Sequence, residues 1–350
     1  MLKFQFLKKN SIIFLCFFLI FIIEVSKTNS QFIETYFSNY FYKINSNIFL
    51  FLFGKISFSV GDIIILILPF FIYKLIKRGQ TRRRKIKNLF KFFLIFYIVY
   101  QFQWGLNYHR VPLKNKLSLK QNYELKSLIK TTNLFISNTN NVHNRLSKND
   151  TLAVIFSINT NDLINESIKA VNNLKEKNIN KTTYPSISIK KSILSYPLSY
   201  MGFSGYINPL TLEAQINKNI PKISIPTTIF HEIAHQIGYS SENEANFIGI
   251  MSAINSNNNL IRYSGNVLGM RYLLSELFQR DRKAYEKIKK KINKGVLLNI
   301  DQANKEWEVY SNPIEPYFKN IYDLFLKANN QKEGIKSYNL VVNLLVNQYD

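Results

Sequence analysis

The stretch at residues 226–249 reads PTTIFHEIAHQIGYSSENEANFIG and decides the fold of the second half of the chain. It contains the pentapeptide HEIAH at residues 231–235. Residues four apart project from the same face of a helix, so a helix here brings two imidazoles side by side. Pro226 suits the first turn of a helix, and Gly238 suits the left-handed residue after its last turn. We therefore predict a helix that ends just before Gly238.

The two histidines of this pentapeptide are the first candidates for a functional site. On one helix face, His231 and His235 can hold one Zn²⁺ ion at about 2.0–2.1 Å from each ring nitrogen. Glu232 lies beside the first histidine, from where it can take a proton from a water molecule on the ion. The chain has four histidines, and two of them fall in this motif. We predict a zinc site with Glu232 as the catalytic base.

The third ligand is chosen between two carboxylates. One class of zinc peptidases has a further histidine six residues after the second, but Ser241 stands there. Glu242 and Glu244 follow at once. The block ENEAN at residues 242–246 resembles the E-x-x-[AS]-[DN] element of gluzincin peptidases, whose second helix supplies a glutamate ligand. By that resemblance Glu242 is the ligand, and Asn246, in place of the usual Asp, hydrogen-bonds a ligand histidine.

Helical spacing supports the same choice. Glu242 shares one helix face with three small residues, Ala245, Gly249 and Ala253, which would let the second helix approach the first closely. Ser241 and Glu244 have the spacing of a capping box, which gives Glu244 a structural role. Glu242 is therefore the predicted ligand, and Glu244 remains the alternative.

The first third of the chain is predicted to be a membrane region at residues 1–106. Three apolar runs predict transmembrane helices at about 8–25, 58–76 and 88–106. The first could be a signal peptide, but it lacks a convincing cleavage site, so we favour an anchor that is retained. Trp104 and Tyr108 suit the aromatic belt at a membrane surface.

Basic residues between the second and third runs predict the topology. Residues 74–91 carry nine positive charges and no acid, as cytoplasmic loops do, and we prefer this interpretation to nucleic-acid binding. Everything after Tyr108 then lies outside the cytoplasm. The aromatic-rich residues 31–53 are predicted to lie along the outer interface, and His109 is predicted to be interfacial too.

Composition excludes other classes of protein. The net charge is +24, but residues 1–106 and 107–350 each carry half of it, which argues against a single nucleic-acid-binding domain. Cys16 is the one cysteine, so neither an internal disulfide nor a multi-cysteine metal site can form. We predict no nucleic-acid partner.

Residues 107–350 are predicted to form one extracytoplasmic domain. Helical spacing occurs at 118–135 and 160–178 and again after residue 226, whereas proline and glycine punctuate 182–226. Alternation at Leu212–Ile216 predicts a half-exposed strand. His143, in a polar stretch, is predicted to be exposed. The expected fold class is mainly α with a small β element, a zincin-like α+β fold preceded by about three transmembrane helices.

Several blocks together resemble an uncharacterised family of bacterial multi-pass membrane proteins with an HExxH signature of the gluzincin type. The blocks are FSVGD (58–62), WGLNYHR (104–110), SYMGFSGYINPLTLEAQIN (199–217), HEIAHQIGYSSENEANF (231–247), RYSG (262–265) and FLKANNQKEGIKSYN (325–339). The resemblance implies a zinc peptidase fold anchored in the bacterial inner (cytoplasmic) membrane. In zincins an edge strand before the HExxH helix pairs with substrate, and Leu212–Ile216 is expected to be that strand.

The resemblance also suggests residues that stabilise a developing oxyanion. The candidates are Tyr200, Tyr206, Arg262 and Tyr263. For each of them the preferred alternative is a role in packing or hydrogen bonding. The expected function is a membrane-anchored zinc metallopeptidase that hydrolyses peptide bonds in the cell envelope, with the lipid bilayer and a peptide or protein substrate as its partners. The alternative is a non-catalytic envelope protein with a structural or vestigial metal site.

Overall fold

A computed structural model describes residues 2–172 and 187–350 of the chain. The first third is helical. Its elements are α1 (Leu2–Lys27), α2 (Ser30–Phe32), a π-helical segment (Ile33–Phe41), α3 (Tyr42–Phe53), α4 (Val60–Lys77) and α5 (Arg82–Gln103). α5 packs against both α1 and α4. Three of these helices cover the three apolar runs of the sequence.

The membrane spans were tested by the length and hydropathy of each helix. Within residues 2–172 and 187–350, no single helix is both long and apolar enough to cross a bilayer. One bent pair of helical segments, Ser11–Lys27 and Ser30–Phe53, meets these criteria jointly, with an angle of 101° between its two parts. The three predicted spans stay predictions.

The rest of the chain is mainly helical, as predicted. Its α-helices are α6 (Leu113–Lys116), α7 (Leu125–Ser147), α8 (Thr160–Asn172), α9 (Ser195–Tyr200), α10 (Ile225–Gln236), α11 (Glu242–Ile254), α12 (Asn259–Arg280), α13 (Arg282–Lys289), α14 (Lys294–Glu308), α15 (Glu315–Ala328) and α16 (Val341–Tyr349). Residues 173–178 of the predicted second helix, and 182–186 of the punctuated region, lie outside the described residues.

A three-stranded sheet lies beside the HExxH helix. Its strands are β1 (Ile189–Lys191), β2 (Gly205–Ile207) and β3 (Ala214–Ile216), in the order β1-β3-β2. β3 pairs in parallel with β1 and antiparallel with β2. The prediction of a half-exposed edge strand at Leu212–Ile216 is therefore wrong, because β3 is central and buried on both faces. The strands at the edges are β1 and β2.

The main core forms around α10. Ile229, Phe230 and Ile233 of α10 are at most 2% exposed and pack with apolar side chains of α7, α8, α11, α12 and α16. Ile229 is fully buried. Burial of the apolar stripe to which it belongs holds α10 in place, since each buried side chain of this kind stabilises the fold by about 1.5–3 kcal/mol. The HExxH helix thus lies at the centre of the domain.

A second apolar cluster joins the first third of the chain to the domain. Tyr42, Trp104 and Tyr108 pack there with Ile207 and Leu212. Trp104 is 5% exposed and Tyr108 is 4% exposed. The prediction that these two aromatic residues form a membrane-surface belt is wrong, because they are packed inside the protein.

Buried polar groups fasten α4 to the sheet. Asp62, in the first turn of α4, accepts hydrogen bonds from Ser192 Oγ (2.9 Å) and from the Ile193 amide (2.6 Å). Glu213 accepts a bond from the Gly61 amide (2.7 Å) and pairs with Lys190. A carboxylate at a helix N-terminus is favourable because the free amides there carry partial positive charge.

His143 differs from its predicted exposure. It lies in α7 and is fully buried, and its Nε2 is 2.9 Å from the Leu152 carbonyl oxygen. A buried imidazole with a carbonyl partner is a structural residue. Of the polar neighbours that suggested exposure, Thr139 is buried on the same face of α7, and Asn144 is exposed.

Candidate metal centre

α10 presents two histidines on one face. His231 and His235 are one helical turn apart, and their ring centroids are 4.6 Å apart at nearly right angles. Pro226 lies in the first turn of α10, where its missing N–H costs no hydrogen bond. Both imidazoles turn Nε2 toward the same point, because each Nδ1 is engaged by another residue.

The turn after α10 orients His235. Gly238 has φ = +90°, and the amides of Gly238 and Tyr239 donate to the carbonyls of His235 (2.8 Å) and Ala234 (2.9 Å). These two bonds form a Schellman motif, which brings the chain back over the helix end. The Tyr239 carbonyl oxygen then lies 2.7 Å from His235 Nδ1 and accepts a hydrogen bond from its N–H. A helix-ending glycine thus sets the tautomer of a candidate ligand.

α11 brings a carboxylate to the two imidazoles. A Cβ on Gly249 would lie 3.2 Å from the Thr227 carbonyl oxygen, so the glycine allows α11 to approach α10 closely. Glu242 Oε2 is 3.2 Å from His231 Nε2 and 3.5 Å from His235 Nε2. Ser241 makes no side-chain cap, and the Glu242 amide donates instead to Gln331 Oε1 (3.2 Å).

Asn246 lies one turn further along α11 and contacts the first histidine. His231 Nδ1 is 2.9 Å from Asn246 Oδ1, and Asn246 Nδ2 donates to the Tyr272 hydroxyl (2.9 Å). Because the Asn246 amide nitrogen donates to Tyr272, the amide oxygen faces the His231 ring and accepts a hydrogen bond from its Nδ1–H. Partners of this kind hold a metal-ligating histidine in one tautomer and orientation.

The donor set fits a metal cation. Ligand atoms of His231, His235 and Glu242 all lie within 4.8 Å of one another. Glu242 Oε2 and Glu232 Oε2 are buried, and neither makes a well-directed hydrogen bond within the described part of the chain. Burying carboxylate oxygens without partners is costly, so the arrangement favours a cation or water between them. These three residues could hold a metal ion.

The charges of the site are strongly coupled. Burial alone would raise the pKa of Glu242, but the two imidazoles beside it hold that pKa well below its usual value. Burial alone would lower the pKa of His235, yet the Glu242 carboxylate raises it to about 9. Without a metal ion, a proton on His235 takes the place of the cation.

Glu232 is set apart from this ion pair. Its carboxylate lies against β2, where a Cβ on Gly205 would lie 2.7 Å from Glu232 Oε1. Burial raises the pKa of Glu232 to about 7, against the opposing effect of both histidines. A carboxylate with a pKa near neutrality is suited to accept and return a proton.

The structure does not bring the alternative ligand to the site. Glu244 Oε1 accepts a hydrogen bond from the Leu113 amide (2.6 Å), and burial raises its pKa. Its role is to hold the first residue of α6 against α11. The predicted capping box with Ser241 does not form.

The candidate oxyanion residues lie elsewhere. Tyr206 donates its hydroxyl to Asp62, and Tyr263 donates to Asn299 Oδ1 (2.9 Å). Arg262 binds the Ser256 carbonyl through two nitrogens (2.7 and 3.1 Å). Tyr200 is half exposed, and its carbonyl accepts from Asn312. The side chains of Tyr206, Tyr263 and Arg262 are thus engaged in structural hydrogen bonds.

Tyr322, Tyr338 and Trp104 surround the site, and the sequence analysis assigned none of them to it. The Tyr322 hydroxyl donates to Glu242 Oε1 (2.7 Å) and lies 3.5 Å from the Tyr338 hydroxyl. The Tyr338 ring stacks on His231 at 6.1 Å, and Trp104 meets His235 edge to face at 5.9 Å. Tyr338 falls in the block 325–339 that carries the family resemblance, and this block was the one feature of the sequence that could have indicated its role. His231 is the most open ligand, with 13% of its side chain exposed.

Replacing Asn246 with alanine is expected to weaken zinc binding by about 10–100-fold, the usual cost of losing a hydrogen-bond partner of a ligand. The His231 ring would lose the acceptor that sets its tautomer. The affinity is measured by competition with a chromogenic chelator. Tyr272→Phe is the control, since it removes only the next contact outward, and we expect a smaller loss. Equal affinity of Asn246→Ala and the unmutated protein would contradict this role.

Zinc affinity is expected to rise with pH by about tenfold per unit up to about pH 9, because the metal binds only the neutral His235 ring and its pKa is about 9. The raised pKa of His235 also stabilises the metal-free fold. This stabilisation is fully present below pH 6.5 and is lost as pH rises through about 9. Competition titrations with a chelator of known pH dependence measure the slope. In Glu242→Gln, which lacks the carboxylate charge, the affinity should level off below pH 8. The same slope in both proteins would contradict the coupling.

The fold and the site define a mainly helical protein in which an HExxH helix and a second helix build a candidate metal centre. The chain belongs to the family described as "Protein of unknown function (DUF3810)", whose model matches residues 37–346. The match covers the site and most of the first third of the chain. No curated protein and no solved structure matches the chain.

Proposed function

We propose that the protein is a membrane-anchored zinc metallopeptidase. The observation that carries the proposal is the convergence of His231 Nε2, His235 Nε2 and Glu242 Oε2, beside Glu232 Oε2, which has no hydrogen-bond partner among the described residues. Two imidazoles and one carboxylate leave a fourth position open, which is typical of catalytic zinc sites. A structural zinc site has four protein ligands and no need of an unpaired base.

Glu232 would be the general base and then the general acid. Its pKa of about 7 allows it to accept a proton from the attacking water and to return that proton to the leaving amine. Zinc held by the three ligands would supply a Lewis acid that polarises the scissile carbonyl and acidifies the water. No group in residues 2–172 and 187–350 donates a hydrogen bond to Glu232 Oε2, which leaves this oxygen available for the water.

Tyr338 and Tyr322 are the better candidates for stabilising the developing oxyanion. Both hydroxyls lie beside Glu242, and burial holds the pKa of each tyrosine well above its usual value, so both remain protonated donors. Donors that point to where negative charge develops are the usual means of stabilising such a transition state. We assign this role to Tyr338, because its hydroxyl is the less firmly engaged of the two.

β2 is the candidate strand for substrate. It is an edge strand, and its residue Gly205 lies against Glu232. An extended peptide that adds to this edge would place its backbone beside the general base. The absence of a side chain at Gly205 makes room for the Glu232 carboxylate against this strand. The substrate class we propose is therefore an extended peptide segment.

The membrane anchor would be formed by α1, α4 and α5. These helices expose large apolar side chains, which a water-soluble surface rarely does. The exposed set includes Phe14, Leu15, Phe17, Phe18, Phe21, Leu66, Ile67, Phe70, Phe71 and Phe93. Nine basic residues cluster in the segment 74–91, which would place that loop in the cytoplasm and the metal centre outside it. The bacterial inner membrane is the proposed location.

The activity is tested with the full chain in lipid nanodiscs. The zinc-loaded protein is incubated with a complex peptide mixture, and new peptide termini are identified by mass spectrometry. We expect cleavage that stops when a chelator removes the metal and resumes when zinc is added. X-ray absorption should show an open coordination position. A closed site with four protein ligands and no new termini would refute the enzyme and favour the non-catalytic alternative.

A further inference from the structure

α15 has two different apolar faces. On the inner face, Tyr322 contacts Glu242, and Phe325 packs edge to face on Tyr100 (6.3 Å) and Tyr108 (6.4 Å). On the outer face, an apolar stripe follows the helical spacing of three and four residues. It consists of Ile314, just before the helix, and of Tyr317, Ile321 and Leu324, which are 58–69% exposed.

An exposed apolar stripe of this kind indicates a contact surface. Exposed apolar residues that recur on one helix face mark a surface that binds a partner or a membrane. Ile314 and three side chains of the 14-residue α15 fall far short of the about 800 Å² that each partner of a stable protein complex usually buries. The stripe is better suited to partial immersion in a lipid surface, which needs no matching partner.

Both ends of α15 are linked to the ends of the proposed spans. Near its C-terminal end, Phe325 packs on Tyr100, at the end of α5 that adjoins the domain. At its N-terminal end, Asn312 donates to the Tyr200 carbonyl (2.7 Å), and a Cβ on Gly202 would lie 2.8 Å from Glu315 Oε1. These contacts connect α15 to the segment 192–203.

That segment is in turn fixed to α4. The Ile193 amide donates to Asp62 in the first turn of α4 (2.6 Å). Ile193, Tyr196 and Tyr200 are 50–59% exposed, and Phe58, just before α4, is 49% exposed. Exposed apolar side chains therefore continue from the end of α4 through the segment 192–203 to α15 and on to the end of α5.

We propose that the outer face of α15 rests in the outer surface of the bilayer, beside the ends of α4 and α5. This inference rests on the membrane anchor in the proposed function. A helix with its side chains is about 10 Å across, so Glu242, which Tyr322 contacts from the inner face, would lie about one helix diameter from lipid. The peptide that this site takes is then one held at the membrane surface.

The test places single spin labels on the full chain in nanodiscs of phosphatidylcholine and phosphatidylglycerol. Cys16→Ala removes the sole cysteine, and labels are then attached through Ile321→Cys, Phe70→Cys in α4 and Ile155→Cys. Ile155 is 82% exposed and serves as the control in water. The measurement compares relaxation of each label by oxygen, which concentrates in lipid, and by a water-soluble nickel chelate.

We expect the labels at 321 and 70 to respond more to oxygen, and the label at 155 to respond more to nickel. A label at 321 that behaves like the one at 155 overturns the inference, and so does one shielded from both reagents, which would indicate a protein partner. If the label at 70 is in lipid and that at 321 is in water, only this inference fails. If both are in water, the membrane anchor fails with it. Peptide cleavage is not measured, so the outcome is independent of the enzyme assignment.

Discussion

Glu242→Gln is expected to lower the affinity for zinc by at least about 100-fold. Even the hydrogen-bond partners of ligands contribute 10–100-fold, and here a charged ligand becomes a neutral amide. Gln keeps an oxygen that can accept the Tyr322 hydrogen bond, so the fold should survive. The affinity is measured by chelator competition, and binding of cobalt, followed by its visible spectrum, reports the change of ligand set.

The matched control is Glu244→Gln, the same substitution two residues away on α11. Glu244 Oε1 accepts from the Leu113 amide and contacts neither imidazole, and Gln retains that acceptor. We expect zinc affinity within about twofold of the unmutated protein, well below the tenfold change that would correspond to about 1.4 kcal/mol. If Glu244→Gln loses zinc and Glu242→Gln keeps it, the ligand assignment is reversed.

Glu232→Gln is expected to reduce kcat/KM for a cleaved peptide by about 100- to 10,000-fold while zinc content stays at one ion per chain. This range is the usual contribution of a general acid–base residue. Gln fills the same space beside Gly205 but cannot accept a proton from water. The rate is measured on a peptide found among the cleavage products, and the metal is measured by elemental analysis.

Glu306→Gln, at an exposed position of α14, provides the control for this substitution, and its rate should be unchanged. A second measurement guards against misfolding, because Glu232→Gln should keep the thermal midpoint and zinc affinity of the unmutated protein. Full activity in a zinc-loaded Glu232→Gln protein would show that another residue is the base. Loss of both zinc and activity would mean that Glu232 acts through the metal site.

Much of the metal centre could be predicted, because the spacing of nearby residues along the chain places its candidate ligands. The i and i+4 positions place His231 and His235 on one face of any helix. The small residues of α11, Gly249 above all, allow Glu242 to reach them. The left-handed Gly238 could also be predicted, although its effect on His235 through the Tyr239 carbonyl could not.

The surroundings of the centre could not be predicted. Tyr322 and Tyr338 lie 80 or more residues from their contacts on α11 and α10, and no local pattern distinguishes them from other tyrosines. Tyr206 had a suitable residue type and position for an oxyanion donor, but its hydroxyl donates to Asp62. Trp104 had the composition of a membrane-surface residue, yet it packs on His235.

The sequence by itself determined the HExxH helix, the end of that helix at Gly238 and the mainly helical class, because hydrogen-bond geometry within a helix depends only on residues a few positions apart. Tertiary structure alone decided that β3 is central between β1 and β2, and that Glu244 accepts from the Leu113 amide. It also decided that α15 places Tyr322 against Glu242 while exposing its outer stripe. These outcomes depend on which elements pack together, and residues far apart in sequence leave no spacing signal of that choice.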